Sequence, residues 1–540
     1  MKSLNLQRWG IPVLITILVF VLLLVTAPDI GLTWDEPAYI AAARSYMGWF
    51  EQAFTNPKEA FSEGAITNAW QVNSEHPPMD KIWSGVVWSV ARNFTNDLVA
   101  HRMGNMILVA VMAGLLYILI RDAYGQIAGL VAVGALFTMP RFFFHAHLSA
   151  LDVPAAVSVF IVTFAFWKTI EYKKWTWGLL LGLLWGLALA TKINAVFVPV
   201  TLGLWLLIFR RELWLFVRLI IMGVTAIPMF IAAWPWLYFQ TIERLTAYIG
   251  FVTDEHWEIG QYYLGQFFLP PPWHFGFVMT WAVLPLGLTI LYFVGIFSTG
   301  RARQDNGLGW LLFLSALTPI LAISTGKSMV YDNERLIMAS FPFLAGLAGI
   351  GFGWVVSGWQ KLSTSWSRPL VSRSGIVILV LLAFVPQLVT MFRLYPHYLS
   401  YYGESVGGLA GATRMGLETT YWCETYSMAF SIINEQAQPK DRIWADPWSH
   451  DVLIYYQTQG YLRDDLIILA PFQVPSILGP DAPSPLAMPM TSADWYIFQH
   501  RQSTMGYEGE NNPMLKTLKK KEIVYEYSFD GVPIFTLYKK

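Results

Sequence analysis

The residues best suited to chemistry in this 540-residue chain are carboxylates that stand directly beside long apolar runs. Asp35 and Glu36 follow the first run, and Asp152 opens a later one. A carboxylate at the edge of an apolar phase can take a proton from an attacking hydroxyl group, so these three are candidate catalytic residues. Solvation at the interface with water is the alternative for Asp35 and Glu36, and helix capping is the alternative for Asp152.

Basic residues beside the same runs form a second group of candidates. They are Arg102, Lys192, Lys327 and Arg335, the last two flanking the sequence Tyr-Asp-Asn-Glu. An ionisable residue so close to hydrocarbon is a functional candidate by default, and Arg and Lys bind phosphate well. As a group they predict an anion site, with a lipid-linked phosphate as its natural ligand. For any one of them alone, contact with lipid headgroups is the alternative.

Glu75 and His76 immediately precede two prolines, Pro77 and Pro78. Prolines fix the backbone at a helix start, so the pattern indicates that both preceding side chains are held in place. We therefore expect Glu75 and His76 to bind substrate.

A metal site is a further hypothesis. Asp35, His147 and Asp152 are its candidate ligands, with His145 and Glu75 as additional ones, because carboxylate and imidazole groups bind divalent cations. The His-x-His spacing does not fix a common face, and packing of His145 under neighbouring aromatic rings is the alternative. A divalent metal ion is thus a possible cofactor, and the sequence implies no other.

The elements that position these residues follow from composition. Hydrophobic residues make up 55% of the chain and charged residues only 13%, against about 25% charged in soluble proteins. Mean hydropathy is +0.45. These values predict a polytopic α-helical membrane protein. A span needs roughly 17–25 apolar residues; eleven candidate spans lie at about 10–27, 99–121, 125–142, 153–170, 176–191, 194–209, 214–234, 275–298, 308–324, 335–356 and 374–392.

Charge predicts how these spans are oriented. Alternate short loops carry Lys and Arg, for example Arg121, Arg210 and Arg211, and such loops stay cytoplasmic. The first span lacks a cleavage site of the signal-peptide kind and is expected to remain as an anchor. An odd number of spans then puts the N-terminus inside and the C-terminus outside an inner (plasma) membrane, with every candidate residue on the outer face.

The same pattern divides the chain into two regions. Residues 1–392 are expected to form the transmembrane catalytic domain, and residues 393–540 an extracytoplasmic α/β domain of short strands and helices. The first outer loop, about 28–98, contains two amphipathic segments at 37–54 and 77–92 that fit helices lying in the membrane interface. Equal numbers of basic and acidic residues, 36 each, give no basis for nucleic acid binding, and the single cysteine excludes an internal disulfide.

The order of the motifs resembles that of the GT-C membrane glycosyltransferases. The series is Trp34-Asp35-Glu36, Glu75-His76-Pro77-Pro78, Arg102-Met-Gly-Asn, Leu151-Asp152-Val-Pro, Thr191-Lys192 and Glu334-Arg335. Within the class it is most similar to the family 39 branch of protein O-mannosyltransferases and their bacterial relatives, including the aminoarabinose transferases. The resemblance covers about residues 8–392.

The resemblance implies roles for particular residues. Asp35 matches the leading catalytic carboxylate, Asp152 the second acid, and Arg335 an arginine near the lipid phosphate. His76 departs from the lysine of the aminoarabinose transferases and agrees with the O-mannosyltransferases. The extra luminal domain of the eukaryotic O-mannosyltransferases has no counterpart in the chain, so a protein acceptor is not implied.

These observations predict a glycosyltransferase that moves a hexosyl or pentosyl group from a polyprenyl-phosphate carrier to an acceptor hydroxyl, with inversion. Asp35 is the expected base, and Arg335 and Lys192 the expected phosphate ligands. A glycan, a lipid and a protein all remain open as acceptors. Two alternatives are a transporter, which would place charges at mid-membrane and show repeated halves, and a non-catalytic protein of polyprenyl-lipid binding or envelope assembly.

Overall fold

The computed structural model describes residues 2–253, 259–299, 306–325, 330–365, 369–479 and 482–540. Long apolar helices form the body of the protein. They are Lys2–Thr26, Asp97–Tyr124, Gln126–Phe137, Asp152–Thr169, Thr176–Leu189, Val198–Phe209, Leu213–Ala233, Phe275–Val283, Leu286–Thr299, Leu308–Ile323, Phe341–Ser365 and Pro369–Leu394.

Among the described residues, six helical segments are long and apolar enough to cross a membrane. They are Arg8–Asp29, Asp97–Tyr124, Asp152–Thr169, Leu213–Ala233, Arg335–Leu362 and Ser374–Leu394. Helices Phe275–Val283 and Leu286–Thr299 would make a seventh span as a pair bent by 119°. Shorter apolar helices cover the remaining four predicted spans. The polytopic helical architecture is therefore confirmed, whereas the count of eleven stays a prediction.

Local sequence sets the ends of these helices. The Asn96 side chain accepts a hydrogen bond from the backbone of Val99 and so caps the start of Asp97–Tyr124. Gly125, with φ of 91°, separates that helix from the next one, in a backbone conformation that favours glycine. Glycine also permits close packing: a Cβ on Gly295 would lie 2.1 Å from the Leu347 carbonyl oxygen of the facing helix.

The first outer loop and the other connections contain shorter helices. Glu36–Thr55 and Met79–Ala91 occupy the two segments predicted to be interfacial. The other short helices are Pro57–Ala60, Glu63–Trp70, Pro140–His145, Thr241–Thr253, Gly408–Arg414, Phe430–Gln436, His450–Thr458 and Pro513–Leu518.

The chain after residue 392 contains a six-stranded sheet, in agreement with the predicted α/β region. A small hairpin before it consists of β1 (Gln261–Tyr263) and β2 (Gln266–Phe268). The sheet itself contains β3 (Arg442–Asp446), β4 (Ile467–Ala470), β5 (Leu486–Ala487), β6 (Trp495–Gln499), β7 (Glu522–Phe529) and β8 (Val532–Lys539).

The strand order in this sheet is β5-β4-β3-β6-β8-β7. Strands β5, β4, β3 and β6 are parallel to one another, and β8 and β7 complete the sheet as an antiparallel edge. The core of the sheet region is built from apolar side chains such as Ile443, Ile497 and Leu537, all fully buried. Leu32 and Ile40 of the first outer loop belong to the same core, so the sheet is packed directly on that loop.

Candidate active site

A cavity of about 990 Å³ joins the loops between the apolar helices, these helices and the sheet region. One part of its lining is charged and includes Asp35, Glu75, Lys192, Asp332, Arg335 and Arg501. Another part is apolar and comes from the apolar helices, with Val159, Phe197, Pro319, Ile323 and Leu336 among its members. Such a cavity fits an amphiphilic ligand better than a small polar one.

Arg335 is the centre of the charged part. Its Nη2 donates to Asp35 Oδ2 at 2.6 Å, its Nη1 to Asp332 Oδ2 at 2.6 Å and its Nε to Asp152 Oδ2 at 3.0 Å. The guanidinium lies 3.8 Å from the centroid of the Trp422 ring, within range of a cation–π interaction. The structure thus brings together the three residues that the motifs singled out: Asp35 and Arg335 line the cavity, and Asp152 lies buried behind them, bound to Arg335.

Two further cations balance the three carboxylates of this cluster. Lys192 Nζ donates to Asp152 Oδ1 at 2.5 Å, and its side chain is 14% exposed. Arg501, from the loop after β6, donates to the second oxygen of Asp332. Three acids and three bases therefore meet here, and this pairing is what makes so many buried charges tolerable.

Asp35 is the most accessible carboxylate of the cluster. Its side chain is 24% exposed, whereas that of Asp152 is 1% exposed. Both bonds to its carboxylate, from Arg335 and from Tyr39 at 3.4 Å, reach Oδ2; among the described residues none reaches Oδ1. Burial raises the pKa of Asp35 against the opposing charge of Arg335, and the negative charges of Asp332 and Asp152 add to the rise.

Glu36 and Arg102 lie elsewhere, in a closed pair. Arg102 binds both carboxylate oxygens of Glu36 at 2.7 Å, and neither side chain has any exposed surface. Arg102 also donates to the carbonyls of Ile30 and Gly31, and Glu36 accepts from the Ser149 backbone. Neither residue lines the cavity. This geometry argues against a catalytic role for Glu36 and a substrate-binding role for Arg102, because every donor and acceptor is used to hold the loop.

Glu75 and His76 do line the cavity, as expected for substrate-binding residues. Glu75 accepts a hydrogen bond from Asn73 at 2.8 Å. Lys81, on the following helix, holds this turn by donating to the Asn73 carbonyl, the Asn73 side chain and the His76 carbonyl, all within 2.9 Å. The prediction that the turn is fixed is supported, but a buried lysine supplies three of the bonds that fix it.

The metal hypothesis does not fit the structure. His147 donates or accepts at both ring nitrogens, with Thr26 at 2.8 Å and the Phe143 carbonyl at 2.7 Å, so it does not join Asp35 and Asp152. His145 contacts the Tyr421 hydroxyl at 3.0 Å. Within the described part of the chain no three His, Cys, Asp or Glu side chains converge as metal ligands.

Lys327, the remaining predicted site residue, lies outside the described residues.

Sequence reasoning missed the part of the site that comes from beyond residue 392. We call the segment 418–424 the strap, and it contacts the cluster through Trp422. The Trp422 carbonyl accepts a hydrogen bond from the Trp34 amide at 3.1 Å, and the Trp422 ring lies against Arg335. The Cys423 amide donates to Gln499, the last residue of β6. The site is therefore not confined to residues 1–392.

The strap is held in a backbone conformation that its residues rarely adopt. Trp422 and Cys423 have φ values of 71° and 64°, and neither is a glycine or an asparagine. Such residues cost roughly 1–3 kcal/mol each and are maintained only where surrounding contacts enforce them. Asp332 and Asn333, on the opposite side of Arg335, also have positive φ values, of 56° and 57°. Left-handed backbone thus lies on both sides of the arginine, and it is strained at Trp422 and Cys423, since Asp and Asn tolerate this conformation.

A buried network fixes the strap to the helices. Glu334 binds Arg141 at 2.5 Å with its Oε2 and accepts from the Tyr421 hydroxyl at 2.8 Å with its Oε1. The side chains of Arg141 and Glu334 have no exposed surface. Because Glu334 precedes Arg335 in the chain, this network sets the position of the central arginine relative to the strap.

Comparisons with known proteins agree with this architecture. Residues 75–239 match the family model described as dolichyl-phosphate-mannose-protein mannosyltransferase. Two crystal structures of ArnT from Cupriavidus metallidurans, one bound to undecaprenyl phosphate and one in the apo state, are similar over 97% of this chain and 97% of theirs, with TM-score 0.53 and 15% identity. Archaeal AglB from Archaeoglobus fulgidus, an oligosaccharyltransferase, matches 96% of this chain and 74% of its own with TM-score 0.47 and 9% identity. No curated protein matches the sequence.

The chain shares its fold with ArnT, and part of it, residues 75–239, matches the mannosyltransferase family model. These similarities are the ones that the order of its motifs predicted.

Proposed function

We propose that the protein transfers a hexosyl or pentosyl group from a polyprenyl-phosphate sugar to an acceptor hydroxyl at the extracytoplasmic face of the membrane. One observation carries the proposal: the cavity that contains the Asp35–Arg335 pair continues into an apolar surface formed by apolar helices. A ligand with a charged head and a long apolar tail matches both parts. That ArnT has been crystallised with undecaprenyl phosphate supports a carrier of this kind.

Asp35 is the base of the proposed reaction. The acceptor hydroxyl oxygen forms a bond to the anomeric carbon, its proton passes to Asp35 Oδ1, and the bond from that carbon to the phosphate oxygen breaks with its electron pair on the phosphate. A raised pKa suits this role, because a more basic carboxylate is a better proton acceptor. A single displacement of this kind inverts the anomeric centre.

Lys192 and Arg335 bind the departing phosphate. Arg335 uses three of its five N–H donors on carboxylates, which leaves two for the phosphate, and Lys192 uses one of its three on Asp152. Preorganised cations at the site of developing negative charge lower the barrier to phosphate departure. Asp152 binds both cations with different oxygens, so it is a positioning residue here and not a second base. Glu75 and His76, which line the same cavity, contact the sugar.

A direct test uses purified protein with a panel of undecaprenyl-phosphate sugars and measures released undecaprenyl phosphate. Asp35→Asn keeps the shape of the side chain but removes its ability to take a proton, so turnover should fall by about 10²–10⁴-fold while undecaprenyl phosphate still binds. Asp530→Asn is the matched control, because it breaks an exposed acid–arginine pair with Arg393 far from the cavity. Full turnover in Asp35→Asn would reject the assignment of the base, whereas no turnover by the wild type with any sugar of the panel would leave a binding protein as the better description.

The proposed orientation has its own test. A reporter fused after Lys540 should be active outside the inner membrane, and one inserted at 168–174 should be active inside. Equal signals on one side would contradict the orientation and with it the placement of the reaction.

A further inference from the structure

The sheet of the C-terminal region has a topological switch point. From β3 the chain leaves towards its neighbour β4, by way of helix His450–Thr458; from β6 it leaves in the opposite direction, towards β7 and β8. In open α/β sheets a crevice forms at the carboxyl ends of the two strands where the direction reverses, and ligands bind there. The crevice in this protein therefore lies between Asp446, which ends β3, and Gln499, which ends β6.

This crevice opens into the cavity that contains Asp35. Arg501, Ser503 and Thr504, which follow β6, and Asp451, which follows β3, all line that cavity. The Thr504 hydroxyl contacts Asp446 at 3.3 Å and so bridges the two strand ends. A group bound in the crevice would approach Asp35 from the side of the sheet, whereas the apolar carrier tail lies among the spanning helices.

The carboxylates of the crevice disfavour an anionic ligand. Its arginine, Arg501, is already bound to Asp332 and lies 3.7 Å from Glu418. Asp451 adds a carboxylate that is 21% exposed and that accepts from Ser476 and from the Ile477 amide. Hydroxyl-bearing side chains and carboxylates are hydrogen-bond acceptors suited to ligands rich in hydroxyl groups.

An exposed aromatic ring lies in the cavity wall beside the crevice. Trp34, next to Asp35, is 37% exposed. Phe472, which follows β4 and is 55% exposed, packs against Trp448 at 5.0 Å between ring centroids, outside the cavity lining. Exposed aromatic rings beside fixed polar groups are the usual lining of a site that binds a ligand with both apolar and hydroxyl-bearing faces.

We propose that the crevice between the carboxyl ends of β3 and β6 is the acceptor subsite, and that the acceptor is a neutral saccharide whose hydroxyl group points at Asp35. The inference rests on the proposed function and adds the acceptor class to it. The sheet region then contributes substrate recognition as well as the strap that completes the cluster.

Photo-crosslinking tests the location without any variant. A neutral mannotriose carrying a diazirine is bound to the full-length protein in detergent, irradiated, and mapped by mass spectrometry. Crosslinks within 446–451 and 501–504 that excess unlabelled mannotriose suppresses are the expected result. Labelling elsewhere, or labelling that the competitor does not reduce, would overturn the assignment. Because no donor is present, this result is independent of the transferase reaction.

Kinetics test the acceptor class. Released undecaprenyl phosphate is measured from undecaprenyl-phosphate mannose with mannotriose, with mannotriose phosphate, or with a serine- and threonine-rich peptide as acceptor. Stimulation by the neutral trisaccharide above the other two is expected. Preference for the phosphorylated sugar or for the peptide would overturn the class. No release in any arm, even from the broader panel of undecaprenyl-phosphate sugars, would instead count against the proposed function, while the crosslinking result would stand.

Variants connect the two experiments. Thr504→Val and Asp451→Asn should each raise the KM for mannotriose by about tenfold, with a smaller change in the KM for the donor. Asp494→Asn is the matched control, since Asp494 has a similar exposure of 24% but lies at the opposite end of β6, paired with Arg442. An unchanged acceptor KM in both crevice variants would overturn the proposal. Should either variant fail to fold, wild-type crosslinking decides the question.

Discussion

Asp35 and Glu36 are neighbours in the chain, and each binds an arginine, yet the two pairs differ in almost every physical respect. The Glu36–Arg102 pair is bidentate, sealed from solvent and surrounded by backbone partners. The Asp35–Arg335 pair lies at a cavity wall, where Arg335 also binds two other carboxylates and retains unused donors. The comparison teaches that an ion pair whose hydrogen-bond donors and acceptors all have partners serves structure. A pair that retains donors and an acceptor atom for a ligand can serve chemistry.

The largest effect that would test this comparison is on stability. Glu36→Gln should lower the free energy of unfolding by about 3–5 kcal/mol, because it leaves the Arg102 charge buried without a counter-ion. The pKa of Asp35 is raised in the folded state, so folding favours its protonated form, and this contribution to stability is lost as pH rises through that pKa. At neutral pH the charge of Asp35 therefore costs stability. Asp35→Asn removes that charge and should leave thermal stability unchanged or raise it.

The measurement is thermal unfolding of detergent-solubilised protein, with Asp530→Asn as an exposed pair worth less than about 1 kcal/mol. A Glu36→Gln variant as stable as the wild type would show that the Glu36–Arg102 pair contributes no more to stability than the Asp35–Arg335 pair, and would contradict the comparison.

A second test replaces the branched cation by a point charge. Arg335→Lys should reduce turnover by about tenfold or more, because an ammonium group cannot reproduce three directed bonds to Asp35, Asp152 and Asp332. Affinity for undecaprenyl phosphate should fall less, since Lys192 and the positive charge remain. Steady-state kinetics and carrier binding separate the two effects, and an equal loss of both would place Arg335 in carrier binding alone.

A third test concerns pH. Because the base must be ionised to accept a proton, turnover should fall as pH is lowered through the pKa of Asp35, which burial holds above its ordinary value. The negative charge of Asp332 contributes to that rise, so Asp332→Asn should move the acid limb of the pH–rate profile to lower pH. Asp494→Asn should leave the limb in place. A limb that moves to higher pH in Asp332→Asn would contradict the assignment of Asp35 as the titrating group.

The smallest expected effect concerns the hydrogen bond that Tyr39 donates to Asp35. Tyr39→Phe removes one long hydrogen bond of 3.4 Å to Oδ2 and should lower turnover by about two- to fivefold, equivalent to roughly 0.5–1 kcal/mol. The KM for the donor should not change. A loss approaching that of Asp35→Asn would make Tyr39 part of the proton-transfer step.

The sequence allowed part of this site to be predicted, for identifiable reasons. Asp35, Asp152, Lys192 and Arg335 each flank an apolar run on the same predicted face, so the topology alone brings them together. The residue types alone did not distinguish Asp35 from Glu36, and only the resemblance to the family placed Asp35 first. Adjacent residues at a helix start point in different directions, and the packing decides which one reaches the cavity.

Trp422 could not be found, since its role depends on a strained turn and on contacts with residues almost 400 positions away in the chain. Arg501 was within reach of prediction. It follows the carboxyl end of β6, a buried strand in the interior of the sheet that pairs in parallel with β3, and functional side chains tend to lie at such strand ends. Asp332 stood in the sequence between two candidate cations, but its pairing with both Arg335 and Arg501 required the sheet to be docked.

The strap has a consequence for how the protein comes into being. Residues are synthesised from the N-terminus, and Asp35 and Arg335 are in place long before Trp422 and Arg501 have left the ribosome. In the proposed orientation those last two must also cross the membrane before they can reach the cluster. A chain whose export is incomplete would have Asp35 and Arg335 in place but would lack the Trp422 ring and the Arg501 charge that position them. Competence for sugar transfer would therefore be acquired at the end of biogenesis, and a half-exported chain would not consume lipid-linked sugar.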